Sequence, residues 1–301
     1  MNNKLNIRDW NAIHEEISNL YQREDSQKNY YHYTTPEALL GIFKDYIDDN
    51  HVGKINNCCM RASHLRFLND AQEFNDGVDW LRKNYGKDSD CLYDQVYSIS
   101  FCGNNDLLSQ WKWYGKNSGI AIEFNMSNIK YEYWTCIEEN LPNLDHQTKP
   151  LLVKYTNDEK TKYFNDIIRL NKEEKLNMDS DSTTNNLFVP FCKDEGFSEE
   201  KESRLVFYTF DSNRYGIDFK IKYNISNGII KPTLNIKFVS DKTEENIINS
   251  FTVGPGQNQN LIFNALIHIF DRKNFSFNES VSEHTCENGI KILKSSIPFR
   301  G

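Results

Sequence analysis

Tyr30-Tyr31-His32-Tyr33-Thr34-Thr35-Pro36-Glu37 decides the fold reading. The aromatic run Tyr30 to Tyr33 is extended in character. Thr34-Thr35 offers a helix cap, and Pro36 takes an early helical position, where a missing N–H leaves no bond unmade. Ala38 to Tyr46 continues as an amphipathic helix. The order strand, cap, helix puts His32 and the Thr34 hydroxyl at a strand end. A second polar word, Glu199-Glu200-Lys201-Glu202-Ser203-Arg204, stands far along the chain. The two can meet only through tertiary folding, which points to a site assembled from distant segments.

Outward from that strand, Trp10, Ile13, Ile17 and Leu20 fall at near-helical spacing within Ile7 to Arg23. Cys59 to Ser63 reads as a short strand, and Asn69-Asp70 caps a helix through Leu81. Gln95 to Cys102 and Gly119 to Phe124 read as strands. Between them, residues 104–115 form a turn and a short helix that sets Trp111 and Tyr114 one turn apart on one face. Tyr155 to Asp181 has helical spacing at Tyr163, Ile167, Ile168 and Leu170, and Asp179 to Asn186 reads as a polar loop. Arg204 to Tyr208, Gly216 to Tyr223 and Ile229 to Val239 read as strands, and Leu261 to Phe270 as an apolar helix. The expected fold class is α+β, a mixed and mostly antiparallel sheet core with flanking helices. The expected division is an N-terminal helical segment over 1–29 and one α+β domain over 30–301.

A chain of 301 residues can bury a sizeable core. Its 19 Phe, 16 Tyr and 5 Trp supply large buried areas despite low mean hydropathy, which excludes disorder throughout. The net charge of −8 argues against blanket phosphate neutralisation, while a local basic groove stays open to nucleic acid. There is no apolar run long enough to span a bilayer and no charged-then-apolar leader, so no membrane association and a cytoplasmic location are expected. Seven Cys occur without paired CxxC spacing, which reads as reduced thiols. His64 beside Cys58 and Cys59 makes no zinc pattern, and no metal is expected.

The order His32-Tyr33-Thr34, Leu68 to Glu73, Ser98 to Phe101, Trp111-Lys112-Trp113-Tyr114 with Gly119, Lys201 to Arg204, Gly254-Pro255 and Ser295 to Arg300 resembles the bacterial family catalogued as domain of unknown function 2971. The resemblance runs from about residue 30 to the end. A more distant similarity connects the His-Tyr-Thr strand to ADP-ribosyltransferases. That resemblance implies NAD as substrate, with His32 on a ribose and also serving catalysis. Tyr33 and Thr34 lie beside it, Trp111 or Tyr114 offers the stacking surface, Arg204 pairs with a phosphate and Glu202 is the acid. No match to that superfamily's middle Ser-Thr-Ser or Tyr motif is present.

The chemistry suits those residue types. Cleaving the nicotinamide–ribose bond develops oxocarbenium character, which a fixed carboxylate stabilises. Imidazole can both donate to and accept from ribose hydroxyls, and a guanidinium fork fits phosphate. Ordinary readings compete at each position. His32 can be a satisfied strand-end histidine, Glu202 and Arg204 a salt bridge aligned by the two-residue period, and Trp111 with Tyr114 a core pair. Gly254-Pro255-Gly256 reads as a turn without Walker spacing. Three function classes follow. The first is an NAD-consuming ADP-ribosyltransferase or NAD glycohydrolase, acting as a toxin or antiphage defence effector with a macromolecular acceptor, protein or nucleic acid, and a regulatory protein partner. The second is a nonenzymatic sensor or binding module. The third is a nuclease using Asp70, Glu73 and Glu202 with a divalent metal, in which Asp76 adds a further carboxylate.

Overall fold

The computed structural model describes residues 16–17, 19–21, 30–49, 53–68, 71–86, 95–114, 118–133, 149–173, 181–209, 219–226, 228–242 and 244–298. Through them the chain runs β1 (Tyr30–Thr34), α1 (Pro36–Ile42), α2 (Lys44–Asp48), β2 (Asn57–His64), α3 (Ala71–Tyr85), β3 (Val96–Phe101), α4 (Leu108–Tyr114), β4 (Ile120–Phe124) and β5 (Ile129–Tyr133). It continues through β6 (Leu151–Leu152), α5 (Asn157–Glu173), α6 (Asp181–Phe188), β7 (Ser203–Tyr208), β8 (Ile221–Ser226), β9 (Ile229–Ser240), β10 (Ile248–Val253), α7 (Gln259–Phe270), β11 (Glu283–Thr285) and β12 (Lys291–Lys294). The fold is α+β, with mostly antiparallel strands and flanking helices, as expected. No helix among the described residues is long and apolar enough to cross a membrane.

The chain divides into two compact units, each built from separated segments. Unit 1 takes residues 1–26, 61–100 and 133–235, and unit 2 takes 27–60, 101–132 and 236–301. Of the first 29 residues, the described ones, 16–17 and 19–21, fall in unit 1.

Unit 2 rests on a five-stranded sheet in the order β1-β4-β10-β12-β11. All its pairs are antiparallel except β10 with β12. The opening strand forms as read. Thr35 caps α1 by accepting from the Ala38 N–H at 3.3 Å, with Pro36 opening the helix. One sheet face carries Phe251, which packs with Phe43 at 5.6 Å and stacks on Phe270 of α7 at 4.7 Å. On the other face Tyr31, Tyr33 and Ala121 pack with Cys102 and Trp111 of α4.

Unit 1 buries α3, α5 and α6 around Trp80, Tyr163, Phe164, Phe188 and Phe191. In it Ser63 stands antiparallel to Ser98, Leu151 to Arg204 and Ile221 to Leu234, while Lys154 and Cys192 form a parallel bridge. Ile17 is buried and Tyr21 packs beside it, whereas Leu20 is exposed, so Tyr21 replaces Leu20 on the expected apolar face. Trp10 and Ile13 lie outside the described residues. The expected polar loop before residue 187 is instead the helix α6. Asn185 and Asn186 are buried, Tyr163 donates to the Leu187 carbonyl at 3.0 Å and Tyr208 to that of Asn186 at 3.1 Å. Tertiary hydrogen bonds override the polar composition there.

Gly254 is fixed by close approach rather than by dihedral. A Cβ built on it would sit 2.6 Å from Cε3 of the buried Trp111 indole. Gly254→Ala should therefore lower the urea midpoint by an amount equivalent to about 1–3 kcal/mol, the range for overpacking a filled core. An unchanged midpoint would show that the indole can move aside.

Candidate functional site

In unit 1 the late polar word folds into a buried ion network. A left-handed Lys201 (φ 45°) ends the 3₁₀ turn Glu195–Glu200 and feeds the chain into β7. The two-residue strand period then puts Glu202 and Arg204 on one side. Arg204 Nε donates to Glu202 Oε1 at 2.6 Å and Nη2 to Oε2 at 3.1 Å, while Nη1 donates to the Pro190 carbonyl at 2.8 Å. Lys193 Nζ bridges Glu200 at 2.7 Å and Glu202 at 3.0 Å. The Glu202 amide donates to the Tyr155 hydroxyl at 2.8 Å. Glu202 is 3% exposed and Arg204 1%.

Burial alone would raise the Glu202 carboxyl, but Arg204 and then Lys193 outweigh it and hold the group well below the usual carboxylate range. Burial, followed by the Glu202 charge, pushes the Tyr155 phenol up. Beside the network, Lys154 is buried over the Tyr21 ring at 4.4 Å and the Tyr163 ring at 4.7 Å, and it donates to the Leu152 carbonyl. Burial lowers its ammonium to about 7. Both Glu202 oxygens are engaged. The carboxylate that the resemblance makes an acid is occupied in structure, and reaching a ribose would require opening the network.

In unit 2, strand alternation separates the other expected residues. Tyr33 stacks edge-on with Trp111 at 4.6 Å, accepts from the Leu107 amide at 3.1 Å and donates to the Asn104 carbonyl at 2.8 Å. Trp111 Nε1 donates to Asp106 at 2.8 Å, and the Ser296 amide and hydroxyl donate to the same carboxylate at 3.0 Å. The Tyr33, Trp111, Gly254 and Ser295-Ser296 words therefore converge. His32 and Thr34 point to the opposite face of β1, where the His32 ring lies 6.1 Å from that of Phe101. His32 and Trp111 thus cannot line one cleft. Arg204 and Glu202 belong to unit 1 and these residues to unit 2. The side chains of Tyr114 and Glu73, and the whole of Asp70, lie outside the described residues.

The open stretch of the unit 2 sheet offers a different constellation. Across four strands Tyr31 stands opposite Glu123, Glu123 opposite Ser250 and Ser250 opposite Lys291. Ser250 donates to Glu123 at 2.6 Å. A register shift between Ile248 and Ser250 adds Asn249 to β10 at this row. The row lines a concavity of about 600 Å³ that Lys54, Asn105 and Asn125 also border. The Lys54 ammonium approaches Gly289, two residues before Lys291, so both cations gather on the β12 side. Sequence reading passed over these residues. The available signal was Glu123 itself, a charge set into the apolar strand Ile120-Ala121-Ile122-Glu123-Phe124.

Two outcomes test the unit 1 network. Glu202→Gln should destabilise the fold by about 3–5 kcal/mol, since it leaves Arg204 and Lys193 buried and short of charge. Because the folded-state carboxyl is depressed, its contribution is present above the unfolded value near ~4.3 and is lost as pH falls below it. Acid titration of stability should therefore show a loss below about pH 4 that Glu202→Gln lacks. Lys154 shifts stability in the same direction with pH, in a higher window. Its lowered folded value means the unfolded chain holds the extra proton from about pH 7 upward, so stability should rise from there towards pH 10, and Lys154→Met should flatten that rise.

Residues 110–205 match the model of a family described as "Protein of unknown function (DUF2971)". The matched stretch holds Trp111, Glu202 and Arg204, and it supports the resemblance to that family. No curated protein and no solved structure matches the chain.

Proposed function

We propose that this protein binds a phosphorylated, hydroxyl-rich ligand of the nucleotide class on the open face of the unit 2 sheet, as a sensor or binding module. NAD, which the sequence resemblance implies, is the first candidate. The observation that carries the reading is the row Tyr31, Glu123, Ser250 and Lys291 opening on a concavity of about 600 Å³. That volume suits a small-molecule site, for which roughly 300–1,000 Å³ is usual. Glu123 accepts from sugar hydroxyls, the amides of Asn105 and Asn125 donate and accept, and Lys54 and Lys291 on the β12 side meet a phosphate, while Glu244 and Glu245 also border the concavity and favour the hydroxyl-rich part of a ligand. Saturation of Glu202 supports binding over turnover at that residue.

NAD consumption is the second reading, favoured by Glu123, a carboxylate that borders the groove. Held by Ser250, it would stabilise oxocarbenium character at a ribose placed beside it. An ADP-ribosyltransferase-like fold and an effector role with a macromolecular acceptor belong to this second reading.

Titration calorimetry with NAD and with ADP-ribose, paired with chromatographic detection of nicotinamide, tests both. Glu123→Gln and Lys291→Ala should each weaken binding about 10-fold or more, the worth of one charge-assisted hydrogen bond. Nicotinamide release lost in Glu123→Gln would establish the second reading, and binding without release the first. Absence of binding to either compound at millimolar concentration would sink both.

A further inference from the structure

A separate cluster in unit 2 joins the His284-Thr285-Cys286 word to Asp271, a dozen or so residues earlier in the chain. Asp271 caps the C-terminus of α7, His284 lies on β11, and Cys286 opens the turn that Gly289 (φ +87°) closes. That turn is held by the Cys286 amide donating to Ile290 at 2.9 Å and the Gly289 amide donating to Cys286 at 2.8 Å. The carboxylate, imidazole and thiol atoms all lie within 4.8 Å of one another. His284 Nε2 and Asp271 Oδ2 are 2.7 Å apart.

We propose that Asp271, His284 and Cys286 form a zinc site with three protein ligands and a fourth position for water or an anion. A tetrahedral zinc about 2.0–2.3 Å from O, N and S ligands sets them roughly 3.5 Å apart. The cluster straddles that spacing, so sub-ångström to ångström side-chain shifts complete it. A mixed set of one carboxylate, one imidazole and one thiolate fits a borderline-soft tetrahedral ion and not the all-oxygen shells of Mg²⁺ or Ca²⁺. The ligands sit on ordered elements and have outer support. The second Asp271 oxygen accepts from Asn274 Nδ2 at 3.1 Å, which orients the first towards His284. Asp271 also borders a cavity of about 280 Å³ with Lys54, Arg272, Lys273, Glu287 and Asn288, which gives the fourth position room for a water or small ligand.

Two other readings account for less. A salt bridge between His284 and Asp271 would tie β11 to α7 but leaves the thiol beside it unexplained. A Cys–His–Asp nucleophile needs a lowered, accessible thiol. Cys286 is 3% exposed and closed to an incoming substrate.

The test uses the full chain with Zn²⁺ and Co²⁺ alone. Wild-type protein purified with zinc and dialysed should retain a single equivalent by elemental analysis. Its cobalt form should show intense tetrahedral visible bands with a thiolate-to-cobalt charge-transfer band. Cys286→Ser should abolish that band and His284→Gln should weaken zinc affinity by about 100-fold, while Cys59→Ser changes neither. If a variant fails to fold, the wild-type cobalt spectrum still decides. No bound zinc, a cobalt spectrum without the thiolate band, or a band that survives in Cys286→Ser would each overturn the proposal.

Discussion

Arg204 gives up nearly all contact with water, and a guanidinium can do so only where acceptors meet its fork. Glu202 supplies two oxygens and Pro190 a carbonyl, and Lys193 in turn needs Glu200 as well as Glu202. Each group is tolerable inside unit 1 only because the others are present. The 3₁₀ turn before β7, the Tyr155 hydroxyl beneath the Glu202 amide and the path of the chain through Pro190 are all constrained by this one requirement. An apolar core could match such a network in stability, but it would not specify which turn meets which strand.

In unit 2 the corresponding constraint is the two-residue period of β1. Tyr31 and Tyr33 are committed to one face, His32 and Thr34 to the other. The helical side takes the Phe43, Phe251 and Phe270 stack, and α4 covers only the Tyr33 end of the opposite face. The groove at Tyr31 and Glu123 is what remains once α4 has spent its length on Trp111.

Local elements were legible where chemistry is local. The Thr35 cap with Pro36, the helix carrying Trp111 and the strand from Arg204 were read correctly because capping, spacing and β-branched or aromatic runs act over a few residues. Asp181 to Phe188 misled, since Tyr208 holds the Asn186 carbonyl, Tyr163 holds that of Leu187, and burial rather than propensity fixes the asparagines. The polar word around Glu202 was noticed for the right residues, and the salt-bridge alternative is the arrangement found. The groove was not legible, because it needs β4 beside β10 and β10 beside β12, pairings that no local pattern encodes. The same holds for Asp271 with His284. Only the His284-Thr285-Cys286 spacing lay in plain view, and two ligands without a third make no pattern.

The order of strands in unit 2 also sets a schedule for the ribosome. Strand β4 pairs with β1 on one side and with β10 on the other, yet residues 248–253 follow Phe124 by well over a hundred positions. At roughly 5–20 residues per second, that gap lasts on the order of 10 seconds of synthesis. Throughout it, the apolar strand carrying Ile120, Ile122 and Phe124 has an open hydrogen-bonding edge. The nascent chain is thus most vulnerable to mispairing while incomplete, and slower translation across this stretch lengthens that exposure without altering the native fold.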